Sequence, residues 1–416
     1  MKKNIIIAII VVFFLLLSAE TNLLSFKIGN FSQNFSSSEL AMLFFIIFSL
    51  FFIQNENLKI FYNNYKIFII FTVIFLLSGL FSAIFSPADK IYAIKNYIRY
   101  FLFILTSFLF VYLIFINPKL KDYFYFIIFY LSIFLSLIAI LEVYNSDIAE
   151  FLSNTFRDGQ AVYINNKIRP AAILTHSNIF SCFMGISVIT GLKLYFEKKL
   201  SKLFFFSGIT FILTGLSFGN SRNAFFSFLI SVLLLLFNKN YFKTIILVLI
   251  IFILTFFIYT PSTERMIKLN AELKTKTSSR ILLWKSFLNM FVKYPVLGVG
   301  PGCFNKLLIY SSPEKLMELE NFNIKNQALN AHNGFLNILA EFGIIGIIIL
   351  LLFAIYYFIA FFKLYPLKTL SINHSLLLVV LLPFLPDAFF YSYFYMIIFF
   401  IVLLTLIQKN SSYFKP

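Results

Sequence analysis

The sequence predicts an all-α polytopic membrane protein with about 12 transmembrane helices and one large outer loop that carries an amphipathic helix. Three observations predict it. The chain is 60% hydrophobic and 12% charged, with 60 Phe among 416 residues, whereas roughly 25% of residues are charged in soluble domains. Its apolar residues fall in recurring runs, many near the ~20 residues that cross a hydrocarbon core. Two sizeable polar segments interrupt the pattern, one at about 144–170 and a longer one at 261–332 between the ninth and tenth runs.

The runs lie near 4–19, 40–53, 67–85, 98–116, 123–143, 171–192, 203–219, 221–237, 244–260, 333–361, 375–391 and 392–408, so residues 1–416 read as one integral membrane domain. Met1, Lys2 and Lys3 ahead of an apolar stretch and Ser18-Ala19-Glu20 fit a cleavable signal peptide. They fit a retained first helix as well, and retention is the expectation in a chain that is polytopic anyway. Within the large loop, residues 278–294 read as an amphipathic helix. Ile281, Trp284, Leu288 and Phe291 recur at helical spacing opposite Lys285 and Asn289, and Pro295 ends it. The single Trp suits a headgroup layer.

Charge sets the orientation. With both termini inside, the inner loops hold 16 lysines against Glu56, Asp122 and Glu197, and the outer segments hold 18 cations against 14 acids. That bias satisfies the positive-inside rule. It also accounts for the net charge of +17, because the lysines are scattered as loop flanks; a nucleic-acid partner is rejected. All six arginines (Arg99, Arg157, Arg169, Arg222, Arg265 and Arg280) fall on the outer side. Topology needs only positive charge, whereas a guanidinium matches phosphate or carboxylate oxygens two at a time. The two readings are chance in a small sample and an anionic ligand at the outer face.

Several residues are candidates for chemistry. His332 and Asn333 stand where the long polar segment enters an apolar run, and a titratable group there is a functional candidate; the alternative is that the pair caps a helix end. Arg222 opens a short apolar run and is drawn towards the membrane, either to hold an anion or to snorkel to headgroups. Arg280 begins the amphipathic helix, and Arg169 precedes Pro170. After it come His176, read as a buried hydrogen-bonded group, and Asn178. Gly298, Gly300 and Gly302 form either a turn or a nest of backbone N–H groups for an oxyanion. Cys182 and Cys303 are not expected to pair, and no metal-ligand spacing is present. Nor is there a phosphate-binding Walker motif, a dinucleotide fingerprint or an Asp-x-Asp pair, so no cofactor is implied and the donor should bring its own activation.

These residues resemble a known family. His332 and Asn333, then nine residues, then Gly343-x-x-Gly346, is similar to the signature of O-antigen ligases, within the wider superfamily of O-antigen ligases and polymerases. SRNAFF at 221–226 is similar to the Ser-Arg-small motif of that family, and residues 278–304 to its Arg…Trp…Pro-x-x-Gly-x-Gly segment. IRPAAILTHSN at 168–178 is similar to its Arg…Asn element, with His-Ser where a Pro often stands. The match is firmest over about 165–352.

The resemblance implies an enzyme of the bacterial inner membrane whose active site faces the periplasm. It would move a glycan from undecaprenyl diphosphate to a hydroxyl of lipid A–core oligosaccharide, inverting the anomeric centre without a metal. His332 would act as base, and Arg222 and Arg280 would stabilise the leaving diphosphate. Arg169, Asn178, Asn333, Gly298 and Gly300 would bind substrate. The rivals are a polysaccharide polymerase or protein O-oligosaccharyltransferase with the same donor, and, from another class, a flippase for lipid-linked sugar, which predicts midplane charges and pseudo-symmetry.

Overall fold

The computed structural model describes residues 2–19, 21–28, 31–157, 163–164, 167–258, 279–304, 307, 333–368, 370–384 and 392–408. α1 (Lys2–Ala19) leads through an antiparallel hairpin, β1 (Asn22–Ile28) with β2 (Phe31–Ser36), into α2 (Ser37–Leu50). Three long helices follow: α3 (Asn55–Ile84), α4 (Lys90–Ile116) and α5 (Lys119–Tyr144). A short α6 (Ser146–Phe156) and a small hairpin, β3 (Tyr163–Ile164) with β4 (Lys167–Ile168), precede α7 (Ser177–Phe196). Next come α8 (Lys202–Gly219), α9 (Arg222–Leu235) and α10 (Phe242–Ile258). α11 (Ser279–Lys293) belongs to the large loop, and α12 (Gly334–Leu364) begins the last group. α13 (Ile372–Leu381) runs into a 3-10 turn at Leu382–Phe384, and α14 (Tyr393–Leu406) ends the described chain but for two residues.

Among the described residues six helices (α3, α4, α5, α7, α8 and α12) are long and apolar enough to cross a membrane, and six shorter apolar helices accompany them. The twelve coincide with the twelve apolar runs. The two hairpins and α6 are additions that the sequence reading lacked.

The helix starts explain most boundary shifts. Ser36 Oγ accepts from Glu39 N–H, and Glu39 Oε2 accepts from Ser36 N–H at 2.8 Å, a capping box that starts α2 ahead of its apolar run. Glu39 is buried there because Arg99 Nε reaches its Oε1 at 2.5 Å. At α7 the sixth run loses its first residues to an irregular segment, and His176 Nδ1 caps the helix by accepting from Asn178 N–H. His176 is thus hydrogen-bonded as expected, but it is exposed and not buried.

The polar contacts divide the bundle into two ends. Lys199 pairs with Asp122 and Glu197, Lys193 with Glu197, and Lys121 Nζ donates to Thr405 O at the C-terminus of α14. Burial opposes ionisation of Glu197, yet Lys193 and Lys199 outweigh it and hold the carboxyl below its ordinary value. At the opposite end the ion pairs are Arg99–Glu39 and Arg157–Glu142. Among the described residues, the ion pairs at the first end use lysine and those at the other use arginine, in line with the expectation that arginine keeps to one side. Between the ends, Phe and Ile side chains interdigitate, with the rings of Phe14, Phe45, Phe110 and Phe124 packed edge-on, tilted or stacked at centroid distances of 5.4–5.7 Å. Residues such as Val73, Leu77, Ile253 and Ile355 face outward, 48–57% exposed, as lipid-facing side chains do.

Candidate functional site

Three structures built from the sequence candidates meet at the arginine end. The first surrounds Arg169. Its side chain is buried, Nε donates to Gly219 O at 2.8 Å, and Nη2 donates to Asn178 Oδ1. Gly219 closes α8, Asn220 turns the chain in the left-handed region at φ +50°, and Ser221 leads into α9. Arg222 is therefore the first residue of α9, half-buried. So the sequence-selected pair Arg169 and Asn178 bind each other and brace the turn from which Arg222 starts.

The second structure is the start of α12 and its interruption. Asn333 Oδ1 accepts from Leu336 N–H at 3.1 Å, the side-chain cap expected of Asn at this position. Ten residues on, Gly343 breaks the helix at φ 64°, ψ −160°, a conformation open essentially to glycine alone. Into the break runs the segment 295–300. Val299 N–H donates to Ala340 O at 2.8 Å and Gly300 N–H to Glu341 O at 3.1 Å, while Ile344 N–H donates to Pro295 O at 2.8 Å. Ser82 Oγ on α3 adds a bond to Glu341 O, and Ser86 Oγ one to Val299 O. Gly298 permits the approach, since a Cβ there would lie 2.5 Å from Ala340 O. The nest considered for Gly298 and Gly300 is corrected by this geometry. Gly298 N–H donates to Tyr294 O and Gly300 N–H to Glu341 O, so both serve the protein's own carbonyls.

The third structure is α11, which occupies the residues expected of it. Leu283, Ser286, Phe287 and Met290 form the buried stripe, packed on Ala83, Ala93, Val299, Phe304 and Ala340. The stripe of Trp284, Leu288 and Phe291 that the sequence singled out lies one residue, or ~100°, further round, and Leu288 is 44% exposed. Trp284 of that stripe still packs against the buried cluster, so α11 turns Leu288 outward while Trp284 stays at the edge of the core. Arg280 is the second residue of this helix, in its first turn; its side chain and all of His332 lie outside the described residues.

The 3-10 turn at Leu382–Phe384 joins the first two of these structures. Phe384 packs so closely on Gly334 that a Cβ there would come within 2.6 Å, and its ring centroid is 6.2 Å from that of Phe335. The turn also packs on α9. The register follows from Gly185, where an added Cβ would meet both Val379 of α13, at 3.3 Å, and Phe228 of α9, at 3.8 Å. α13 and α9 are antiparallel, so Phe384, five residues beyond Val379, comes level with the first turn of α9 and with Arg222. The N-termini of α9 and α12 therefore flank one aromatic turn.

Beneath it lies a cavity of about 390 Å³ between α3, α4, α12, α13 and α14, within the ~300–1,000 Å³ of ligand pockets. Its lining runs from Phe335 in the first turn of α12 to Phe362 near its end, and is aromatic and aliphatic except for Thr72 and the hydroxyls of Tyr100 and Tyr357. Phe358 and Phe362 belong both to the lining and to the exposed surface, so the cavity borders the lipid side.

Two features escaped the sequence reading. Glu142 and Arg157 form a buried ion pair at 2.7 Å, joining the end of α5 to the residue after α6. Glu341, two turns inside α12, accepts from Tyr100 OH at 3.1 Å. Glu142 and Glu341 stood out only as carboxylates in apolar runs. Cys182 and Cys303 are both buried, and no disulfide joins them.

No curated protein matches the chain significantly. The family model described as O-antigen ligase matches residues 203–351, which include the α8–α9 turn, α11, the glycine segment and the broken part of α12. The chain is a multi-pass helical membrane protein whose residues 203–351 are similar to the O-antigen ligase family.

Proposed function

We propose that the protein is a glycosyltransferase that moves a glycan from undecaprenyl diphosphate to a hydroxyl of lipid A–core oligosaccharide at the periplasmic face of the bacterial inner membrane. The observation that carries this reading is the convergence of the α9 and α12 N-termini on the Leu382–Phe384 turn. Arg222 and Arg280 each stand in the first turn of a helix. The helix macrodipole makes that a poor place for a cation, by ~0.3–1 kcal/mol, and a good one for an anion. Two arginines in such positions favour a polyanionic partner. A diphosphate is such an anion, and the apolar cavity along α12 suits the polyprenyl chain attached to it.

The chemistry follows from the groups. Diphosphate leaves readily once the charge developing on its oxygens is stabilised, the work assigned to Arg222 and Arg280. The acceptor alcohol is a weak nucleophile near neutral pH, and His332, adjacent in sequence to the cap Asn333, takes its proton as the C–O bond forms. One in-line displacement inverts the anomeric centre. Arg169, Asn178 and Asn333 shape the donor site; the backbone of Gly298 and Gly300 holds α11 to α12.

The test is transfer by purified protein from polyprenyl-diphosphate-linked glycan to lipid A–core, without an ion gradient. Wild type should transfer, and folded His332→Ala should not; transfer by the variant removes the base, and no transfer by wild type removes the enzyme reading in favour of a carrier. A deletion strain identifies the acceptor. Bare core with accumulated lipid-linked polymer supports the ligase, and core bearing a single repeat supports a polymerase.

A further inference from the structure

Glu142 and Arg157 have side chains 0% and 3% exposed. We propose that they form a positioning pair: their ion pair fixes the 169–174 segment and, through Arg169, the turn that aims Arg222. This rests on the reading of Arg222 as a ligand of the donor diphosphate.

Each link is a short contact. Glu142 Oε1 accepts from Arg157 Nη1 at 2.7 Å, and its Oε2 accepts from the backbone N–H of Ala171 at 3.2 Å and of Ala172 at 3.0 Å. Arg157 Nη2 donates to Ala172 O at 2.7 Å. Ala172 is thereby gripped at both its N–H and its C=O. It also has φ +52°, an uncommon conformation for a residue with a Cβ, which persists where the surroundings over-determine it. Pro170 is the only residue between this grip and Arg169, and its fixed φ transmits the orientation. Arg169 then holds Gly219 O, three residues before Arg222.

Stability alone does not account for the pair. Replacing a buried ion pair with apolar side chains is often neutral or stabilising, and α5 and α7 pack largely through apolar side chains of the core. What an apolar pair lacks is donors and acceptors for Ala171 and Ala172. The geometry therefore assigns the charges to orientation of the loop. Acting through Arg169, they touch no substrate.

The experiment compares Glu142→Leu/Arg157→Leu, Arg157→Lys and Arg222→Ala with wild type in lipid nanodiscs, reading melting temperature, hydrogen exchange and transfer kinetics. The double variant should melt near wild type, exchange faster in residues 169–176 and 217–223, and lose roughly tenfold or more in kcat/KM for the donor with the acceptor KM unchanged. Arg157→Lys, which cannot hold Glu142 and Ala172 O together, should show the same pattern more weakly, and it carries the test should the double variant not fold. Unchanged exchange at 217–223, or an unchanged donor kcat/KM in a variant with looser exchange, overturns the proposal. Wild-type transfer by Arg222→Ala overturns instead the reading of the site, and the exchange data still decide the mechanical link.

Discussion

Gly343→Ala is the most exacting perturbation of this fold, because alanine is the best helix former and Gly343 sits inside a helix. The structure nevertheless predicts a severe loss. A side chain at φ 64°, ψ −160° costs about 1–3 kcal/mol in backbone strain. The added Cβ would collide with Val296 O and lie 2.5 Å from Val296 C and 2.8 Å from Gly298 N. These are backbone atoms, so relief requires the 295–300 segment to withdraw. Withdrawal forfeits three hydrogen bonds, those of Val299, Gly300 and Ile344, each about 1 kcal/mol net. The total is on the order of 4–6 kcal/mol, about three to four decades in the local opening equilibrium. Hydrogen exchange of the amides of residues 294–304 and 340–348 measures it directly, with Ile344→Ala, at a 40% exposed position, as control. Wild-type protection in Gly343→Ala would refute the reasoning.

Other predictions concern the site and the opposite end. Arg222→Lys should reduce donor kcat/KM by roughly tenfold or more without altering thermal stability, because a point charge cannot match a bidentate fork; equal activity would leave Arg222 as an electrostatic anchor. Ala354→Trp narrows the apolar cavity and should raise KM for long polyprenyl donors while sparing short-chain ones; an equal effect on both detaches the cavity from the donor tail. The depressed pKa of Glu197 means that its pairing stabilises the fold above the ordinary value of 4.5 and is lost as pH falls through the lower folded-state value. Melting temperature should therefore drop on acidification more steeply in wild type than in Glu197→Gln.

Runs of apolar residues were enough to locate all twelve apolar helices among the described residues, because in a bilayer each helix must satisfy its backbone within itself. The ends were harder. α2 starts before its apolar run because Glu39, which hydropathy assigns to water, is neutralised by Arg99 sixty residues away. α7 starts late because the residues ahead of it answer to Glu142, not to a helical repeat. Arginines gathered at one end were legible from charge alone, whereas which of them brace the protein was not. Arg157 and Arg169 differ from Arg222 in their partners, and partners are tertiary facts. The two glycine clusters were each visible as turns or motif, yet their meeting across the break in α12 joins positions about 45 residues apart in sequence, beyond the reach of any local period.

The interruption of α12 has a consequence for chimeras. Its unpaired peptide groups are satisfied by a stretch of chain that lies before α11's partner helix in sequence and arrives from outside it. Exchanging the large loop between homologues, as one would to transplant acceptor preference, severs that supply unless residues 295–300 and 340–344 travel as one cassette. A graft that divides them would strand peptide dipoles beside lipid and misfold for reasons unrelated to the sugar it was meant to recognise.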